Sequence, residues 1–111
     1  MSDASQRLAV YGTLAPGRVN HHQVAMIPGT WRHGTVCGHL LPDGWGAALG
    51  YPALELDLAG PKVAVQVLEH PSLPDHWERL DVFEGEGYRR AVCEVDLGGE
   101  TIAASIYVLN R

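Results

Sequence analysis

Glu84 is the residue whose type and position are best suited to acid–base chemistry. The spacing of apolar residues predicts a helix over about Leu73–Phe83, with Trp77 and Leu80 on the face that should pack against a sheet. Glu84 follows Leu80 by four residues and projects onto the same face, at the helix end where Gly85 should stop it. Burial and the helix dipole both favour a neutral carboxyl there, so we expect a raised pKa, as general acid–base catalysis requires. The alternative is a frayed last turn, in which Glu84 simply reaches solvent.

A second feature is the glycine-containing loop that follows the first apolar run. The loop covers Tyr11–Gly17, and backbone N–H groups of such a turn can converge on an anion. The spacing from Gly12 to Gly17 is like the start of a Walker A sequence, but the lysine and the hydroxyl residue that should follow are missing. The loop therefore predicts a site for a carboxylate-sized anion, or else a tight turn that binds no ligand.

Other residue types that carry chemistry do not form recognisable sites. The six histidines have no zinc-binding spacing, and Cys37 and Cys93 stand alone in apolar, strand-like surroundings typical of reduced thiols. No Gly-x-Ser-x-Gly elbow is present. We therefore predict no metal site.

The elements that must position these residues are mostly short strands. Alternating or apolar runs predict the strands 8–11, 35–41, 53–58, 62–69, 92–97 and 101–109. Hairpin turns are predicted at 59–61 and at Gly98-Gly99, and Asn20 should cap a short helix that ends near Met26. Ser72 is the candidate cap of the main helix, with Pro74 in its first turn. The pattern predicts an α+β fold of about six strands and one main helix.

Length and charge restrict the function classes. A chain of 111 residues has room for one domain, over residues 1–111. With 8 basic and 13 acidic residues the net charge is −5, which argues against nucleic acid as a partner. The first residues lack the apolar run of a secretory signal, and no apolar run is long enough to cross a membrane. We therefore expect a cytoplasmic protein with no membrane partner.

Two motifs resemble those of the γ-glutamylcyclotransferase-like superfamily, most closely its γ-glutamylamine cyclotransferase and AIG2-like branch. The first lies in the loop and reads Val10-Tyr11-Gly12-Thr13-Leu14-x-x-Gly17-x-x-Asn20-His21. The second lies at the helix end and reads Leu80-Asp81-x-Phe83-Glu84-Gly85-x-x-Tyr88-x-Arg90. Tyr51-Pro52 and the strand Ile106-Tyr107-Val108 also fit, so the resemblance runs over most of the chain, from about 10 to 108.

The resemblance implies a small mixed β-barrel with the tyrosine–glycine loop at one mouth, facing Glu84. It implies that Glu84 is the catalytic acid–base and that the backbone of Tyr11–Leu14 holds the α-carboxylate of a γ-glutamyl substrate. Backbone N–H groups or Tyr88 would support the oxyanion, and Asn20 would contact the amine portion together with Arg18 and Trp45. The implied reaction is intramolecular acyl transfer, of transferase or lyase type, which releases an amine and forms 5-oxoproline without a cofactor.

Two other functions remain open on the same fold. One is a binding module, without catalysis, for an acyl or amino-acid ligand; the other is an amide hydrolase in which Glu84 activates water. The sequence does not identify the leaving amine or the oligomeric state. It also leaves two candidate lids for the substrate, at 44–50 and 18–23.

Overall fold

A computed structural model describes residues 3–41 and 53–110 of the chain. These residues form six strands, which are β1 (Arg7–Val10), β2 (Thr30–Leu41), β3 (Ala53–Leu56), β4 (Lys62–Glu69), β5 (Tyr88–Asp96) and β6 (Thr101–Leu109). One α-helix, α1, spans Trp77–Glu84, and short 3-10 helices lie at Ala4–Gln6, His21–Gln23 and Leu73–His76.

Five of the strands close into a barrel. Their order is β2-β4-β1-β6-β5, and β5 returns to β2 through the pair Thr35 and Asp96. The β1–β6 pair is parallel and the remaining pairs are antiparallel, so the barrel is mixed. The sixth strand, β3, pairs with the end of β2 outside the ring. The predicted small mixed barrel with one main helix is confirmed, with five strands in the ring and one beside it.

Two apolar clusters hold the helix and the barrel together. Side chains that alternate along the strands fill the inside, among them Ala9, Val36, Val65, Val67 and Ile106. A second cluster covers the outer wall of β1, β4 and β6 under α1 and the loop after β1, with Leu8, Val10, Leu68, Leu80 and Tyr107 among its members. The apolar face of α1 therefore packs against the outside of the barrel, as its periodicity predicts.

The predicted hairpin at 59–61 is wrong. Strand β2 lies between β3 and β4, so the two predicted partners do not pair with each other. The Asp57 N–H donates to the Cys37 carbonyl on one edge of β2, and the Gly38 N–H donates to the Pro61 carbonyl on the other. The chain between β3 and β4 thus crosses β2, and long-range pairing overrides the local turn signal.

Other element boundaries also differ from the prediction. Strand β2 begins at Thr30 because its first half pairs with β4, and β5 begins at Tyr88 because it pairs with β6 along its whole length. The main helix is a 3-10 turn followed by α1, and the side chain of Ser72 contacts His70 Nδ1 at 2.8 Å and does not cap the helix. Asn20 precedes only a 3-10 turn and makes no capping bond.

The second predicted hairpin is confirmed. Leu97 and Glu100 close it through a backbone hydrogen bond of 2.8 Å, which leaves Gly98-Gly99 as the two-residue turn. Gly98 has a φ of 97°, a conformation that glycine adopts without steric cost. Within the described residues, no helix is long and apolar enough to span a bilayer.

Candidate active site

Glu84 is the last residue of α1, at the rim of the barrel. Gly85 ends the helix with a φ of 79°, and its N–H donates to the Asp81 carbonyl at 3.1 Å. Burial of Trp77 and Leu80 fixes the rotation of the short helix, so Glu84 turns partly inward with them. Burial raises the pKa of Glu84 from its ordinary value of 4.5 to about 7. Near neutral pH this carboxyl can both accept and donate a proton.

Three tyrosines from three strands or strand ends lie close enough to Glu84 for its charge to affect their pKa values. Burial, and to a smaller extent the charge of Glu84, raises the pKa of Tyr88 to about 12. The pKa values of Tyr11 and Tyr107 are raised well above their ordinary value, mainly by burial, and Glu84 contributes to both. All three phenols are therefore protonated at neutral pH and can act as hydrogen-bond donors.

The Tyr11 side chain braces the rim. Its hydroxyl donates to the Tyr107 carbonyl at 2.7 Å and accepts from the Leu54 N–H at 3.1 Å. The ring packs with the apolar cluster inside the barrel. Tyr11 therefore links the end of β1 to β6 and to the start of β3. Since its hydroxyl makes these two contacts, the backbone of Tyr11 is the part that is predicted to contact substrate.

The loop after β1 has its carbonyl oxygens occupied by protein donors. The Ala15 N–H donates to the Gly12 carbonyl at 3.1 Å, and the Asn20 N–H donates to the Thr13 carbonyl at 2.9 Å. His21 Nδ1 lies 2.9 Å from the Leu14 carbonyl oxygen. Among residues 3–41 and 53–110, none accepts a hydrogen bond from the N–H of Gly12, Thr13 or Leu14. A turn whose carbonyls are engaged, and whose N–H groups donate to no described residue, suits an anion.

Asn20 acts on the loop, since its side chain donates to Thr13 Oγ1 at 3.0 Å. The Asn20 N–H also donates to the Thr13 carbonyl, so a backbone bond and a side-chain bond together hold the two ends of the segment 13–20. This contact places Asn20 as a support of the predicted anion-binding turn. Arg18 is exposed in the same loop. Trp45, the candidate lid 44–50 and Tyr51-Pro52 lie outside the described residues.

Sequence reasoning brought Glu84, Tyr11 and Tyr88 together but assigned no role to Tyr107. Tyr107 lies within the apolar second half of β6, and its phenol reaches α1 from the outer face of that strand. Strand alternation offered a signal, because its neighbours Ile106 and Val108 both point into the barrel. The roles of the candidate residues in binding and catalysis stay predictions.

Neither cysteine nor any cluster of metal-ligating side chains adds to this site. Cys93 is buried inside the barrel, which raises the pKa of its thiol to about 12, and both cysteines are free. Within the part of the chain that the structure describes, no three His, Cys, Asp or Glu residues come close enough to hold a metal ion.

The chain matches one protein-family model and resembles several solved structures. The family model described as gamma-glutamyl cyclotransferase, AIG2-like, matches residues 8–111. No curated protein matches the chain significantly. Among solved structures, YkqA from Bacillus subtilis is 27% identical with a TM-score of 0.72, over 95% of this chain. This chain spans only 36% of YkqA.

Two further structures share the fold at lower identity. The protein PH0828 from Pyrococcus horikoshii is 24% identical with a TM-score of 0.67, and the match covers 95% of this chain and 78% of that one. An AIG2-like protein from Mus musculus is 23% identical with a TM-score of 0.69, and the match covers 93% and 76%. These likenesses show the same barrel with its helix in organisms from three domains of life.

Proposed function

The chain belongs to the gamma-glutamyl cyclotransferase, AIG2-like family, and from this membership we propose that it cyclises a γ-glutamyl compound to 5-oxoproline and releases the amine. The substrate class is a γ-glutamyl amine or a γ-glutamyl amino compound. The single observation that carries the proposal is Glu84, a partly buried carboxyl whose pKa is raised to about 7 at the rim of the barrel.

The reaction requires proton transfer and a substrate conformation in which the α-amine lies next to the γ-carbonyl carbon. Ionised Glu84 takes a proton from the α-ammonium group, and the freed amine attacks the γ-carbonyl carbon of the same molecule. A bond forms between the α-nitrogen and that carbon, and the bond to the leaving nitrogen breaks. Two protons leave the α-nitrogen and two arrive at the leaving nitrogen, so Glu84 ends ionised as it began. Because nucleophile and electrophile share one molecule, holding them together supplies much of the acceleration.

The remaining residues have roles that follow from their positions. The N–H groups of Gly12, Thr13 and Leu14 bind the α-carboxylate through charge-assisted hydrogen bonds, and Asn20 holds their loop in shape. Tyr88 lies beside Glu84 with a protonated phenol and stabilises the negative oxygen that develops on the γ-carbonyl. Tyr11 supports the rim through its two backbone contacts.

Product analysis in ¹⁸O-labelled water tests the proposal. The protein is incubated with γ-glutamyl-alkylamines, γ-glutamyl amino acids and the γ-glutamyl-ε-lysine compound, and the products are identified by mass spectrometry. The proposal expects unlabelled 5-oxoproline from at least one class. Glutamate that carries ¹⁸O would instead identify an amide hydrolase, because water would then be the nucleophile.

A binding module would give neither product. In that case 5-oxoproline or the substrate would bind in a calorimetric titration without turnover. Glu86→Gln is the matched control for the catalytic carboxyl, because Glu86 is an exposed glutamate only two residues away. Loss of cyclisation in Glu84→Gln but not in Glu86→Gln supports the role of Glu84.

A further inference from the structure

Asp81 lies one helical turn before Glu84 and binds two strands of the barrel. Arg90 of β5 donates to both of its carboxylate oxygens, with Nε–Oδ1 at 3.0 Å and Nη2–Oδ2 at 3.2 Å. The hydroxyl of Tyr107 in β6 donates to Asp81 Oδ1 at 2.5 Å. A two-pronged guanidinium contact fixes direction as well as distance.

Trp77 extends this network at the other end of α1. The guanidinium of Arg90 lies 4.7 Å from the centre of the Trp77 ring, and the rings of Tyr107 and Trp77 meet edge to face at 6.5 Å. Trp77 Nε1 donates to the Ser5 carbonyl at 2.9 Å. The four side chains of Trp77, Asp81, Arg90 and Tyr107 form one connected group, which we call the helix clamp.

We propose that Asp81, Arg90 and Tyr107 are positioning residues that hold the last turn of α1 so that the Glu84 carboxyl meets the substrate, an inference that rests on the proposed function. The helix has eight residues and ends at a glycine, so its own backbone gives little resistance to fraying. Glu84 follows Asp81 by three residues, so the two side chains are neighbours on one face of the helix.

The two charged members of the clamp, Asp81 and Arg90, have opposite charges that cancel. Burial acts to raise the pKa of Asp81, but the hydrogen bonds from Arg90 and Tyr107 outweigh it and hold that pKa below its ordinary value. The negative charge of Asp81 is thus matched by Arg90. Among residues 3–41 and 53–110, the charge of Glu84 also affects the phenols of Tyr11, Tyr88 and Tyr107, which are neutral. Removing one member of the charged pair therefore changes the net charge next to Glu84.

Four variants separate position from charge. Asp81→Asn leaves the positive charge of Arg90 and should lower the pKa of Glu84, whereas Arg90→Gln leaves the charge of Asp81 and should raise it. Arg90→Lys keeps the charge but loses the planar fork, and Tyr107→Phe keeps the ring packing but loses the hydroxyl. These last two should leave the pKa of Glu84 nearly unchanged and still impair the reaction.

The experiment measures kcat, KM and the ¹³C titration of the Glu84 carboxyl in each variant. We expect kcat to fall by about tenfold to a hundredfold in Asp81→Asn, Arg90→Lys and Tyr107→Phe, because a displacement of about 1 Å can cost that much. KM should stay within about twofold, since the carboxylate is held by a different loop. The matched control Glu78→Gln alters an exposed charge of the same helix outside the clamp and should leave all three quantities unchanged.

The two ideas fail separately. If Asp81→Asn, Arg90→Lys and Tyr107→Phe all fold and keep kcat within about twofold of the parent, the positioning role is wrong while cyclisation stands. If the parent makes no 5-oxoproline, the proposed function fails, and the titration still tests the clamp. A Glu84 titration that is the same in the parent, Asp81→Asn and Arg90→Gln then overturns the link between the clamp and Glu84.

Discussion

Glu84→Gln should remove catalysis and make the protein more stable at neutral pH. Glutamine has nearly the same size as glutamate and can still accept and donate hydrogen bonds, but it does not exchange a proton near neutral pH. Because Glu84 is partly buried and no cavity opens, the fold and the carboxylate-binding loop should survive the change. The perturbation therefore affects one property, the ionisation of this carboxyl.

The size of the catalytic effect follows from the role of proton transfer. General acid–base catalysis contributes about a hundredfold to ten-thousandfold, so kcat should fall by at least about a hundredfold. Binding of 5-oxoproline should change little, because the proposed function assigns its carboxylate to the N–H groups of Gly12–Leu14 and not to the side chain of Glu84.

The size of the stability effect follows from the raised pKa. Between pH 4.5 and about 7 the folded protein binds more protons at Glu84 than the unfolded chain, so the free energy of unfolding falls as pH rises through this window. The difference in pKa, at about 1.4 kcal/mol for each pH unit, corresponds to roughly 3 kcal/mol at most. Glu84→Gln has no ionisable group at this position, so its free energy of unfolding does not fall in this way. The variant should therefore be no more stable than the parent below pH 4.5, and its gain in stability should be complete above pH 7.

Urea unfolding at pH 4 and pH 8, together with a 5-oxoproline assay, measures both effects. The parent, Glu84→Gln and the exposed control Glu86→Gln are compared at each pH. A Glu84→Gln protein with the same kcat as the parent would refute the catalytic role. If the free energies of unfolding of the parent and Glu84→Gln differ by the same amount at pH 4 and pH 8, burial does not raise the pKa of Glu84.

Three further predictions concern the loop and the helix end. The carboxamide of 5-oxoproline should bind at least about tenfold more weakly than 5-oxoproline in calorimetry, because the N–H groups of Gly12–Leu14 prefer a charged acceptor; equal affinities would remove this loop from the site. Asn20→Ala should raise KM several-fold with less effect on kcat, since it frees Thr13, whereas the exposed neighbour Val19→Ala should leave KM unchanged; the same KM in both variants contradicts the supporting role of Asn20. Gly85→Ala should cost about 1–3 kcal/mol in urea unfolding because φ is 79° and ψ is −174°, even though a Cβ there meets no atom within 4 Å; an unchanged unfolding midpoint would contradict the strain.

Local signals were enough to predict the feature at the helix end. The apolar spacing of Trp77 and Leu80, the glycine stop and the position of Glu84 all lie within nine residues, where the helical period decides which side chains share a face. The glycine loop was equally local. Neither pattern could show that the chain before the loop and the chain after the helix lie in neighbouring strands, because that depends on the pairing of β1 with β6 and of β6 with β5.

The errors arose where distant residues decide the structure. The segment around Gly60 looks like a hairpin turn, yet Gly60 packs against Gly38 of β2 and the strands on either side of it separate. Tyr107 looks like one more core residue of an apolar strand, and its hydrogen-bond partner Asp81 is 26 residues away in the sequence. Periodicity describes faces of single elements, and it carries no information on which elements become neighbours.

The most direct test of the account is the pH dependence of kcat for 5-oxoproline formation between about pH 4 and 8. The account predicts that the rate rises about tenfold per pH unit in the acid range and levels off above about pH 7, where Glu84 becomes ionised. The inflection should disappear in Glu84→Gln and remain in Glu86→Gln. A rate that does not vary over this range, or an inflection near the ordinary glutamate value of 4.5, would contradict the claim that the buried carboxyl of Glu84 carries the proton.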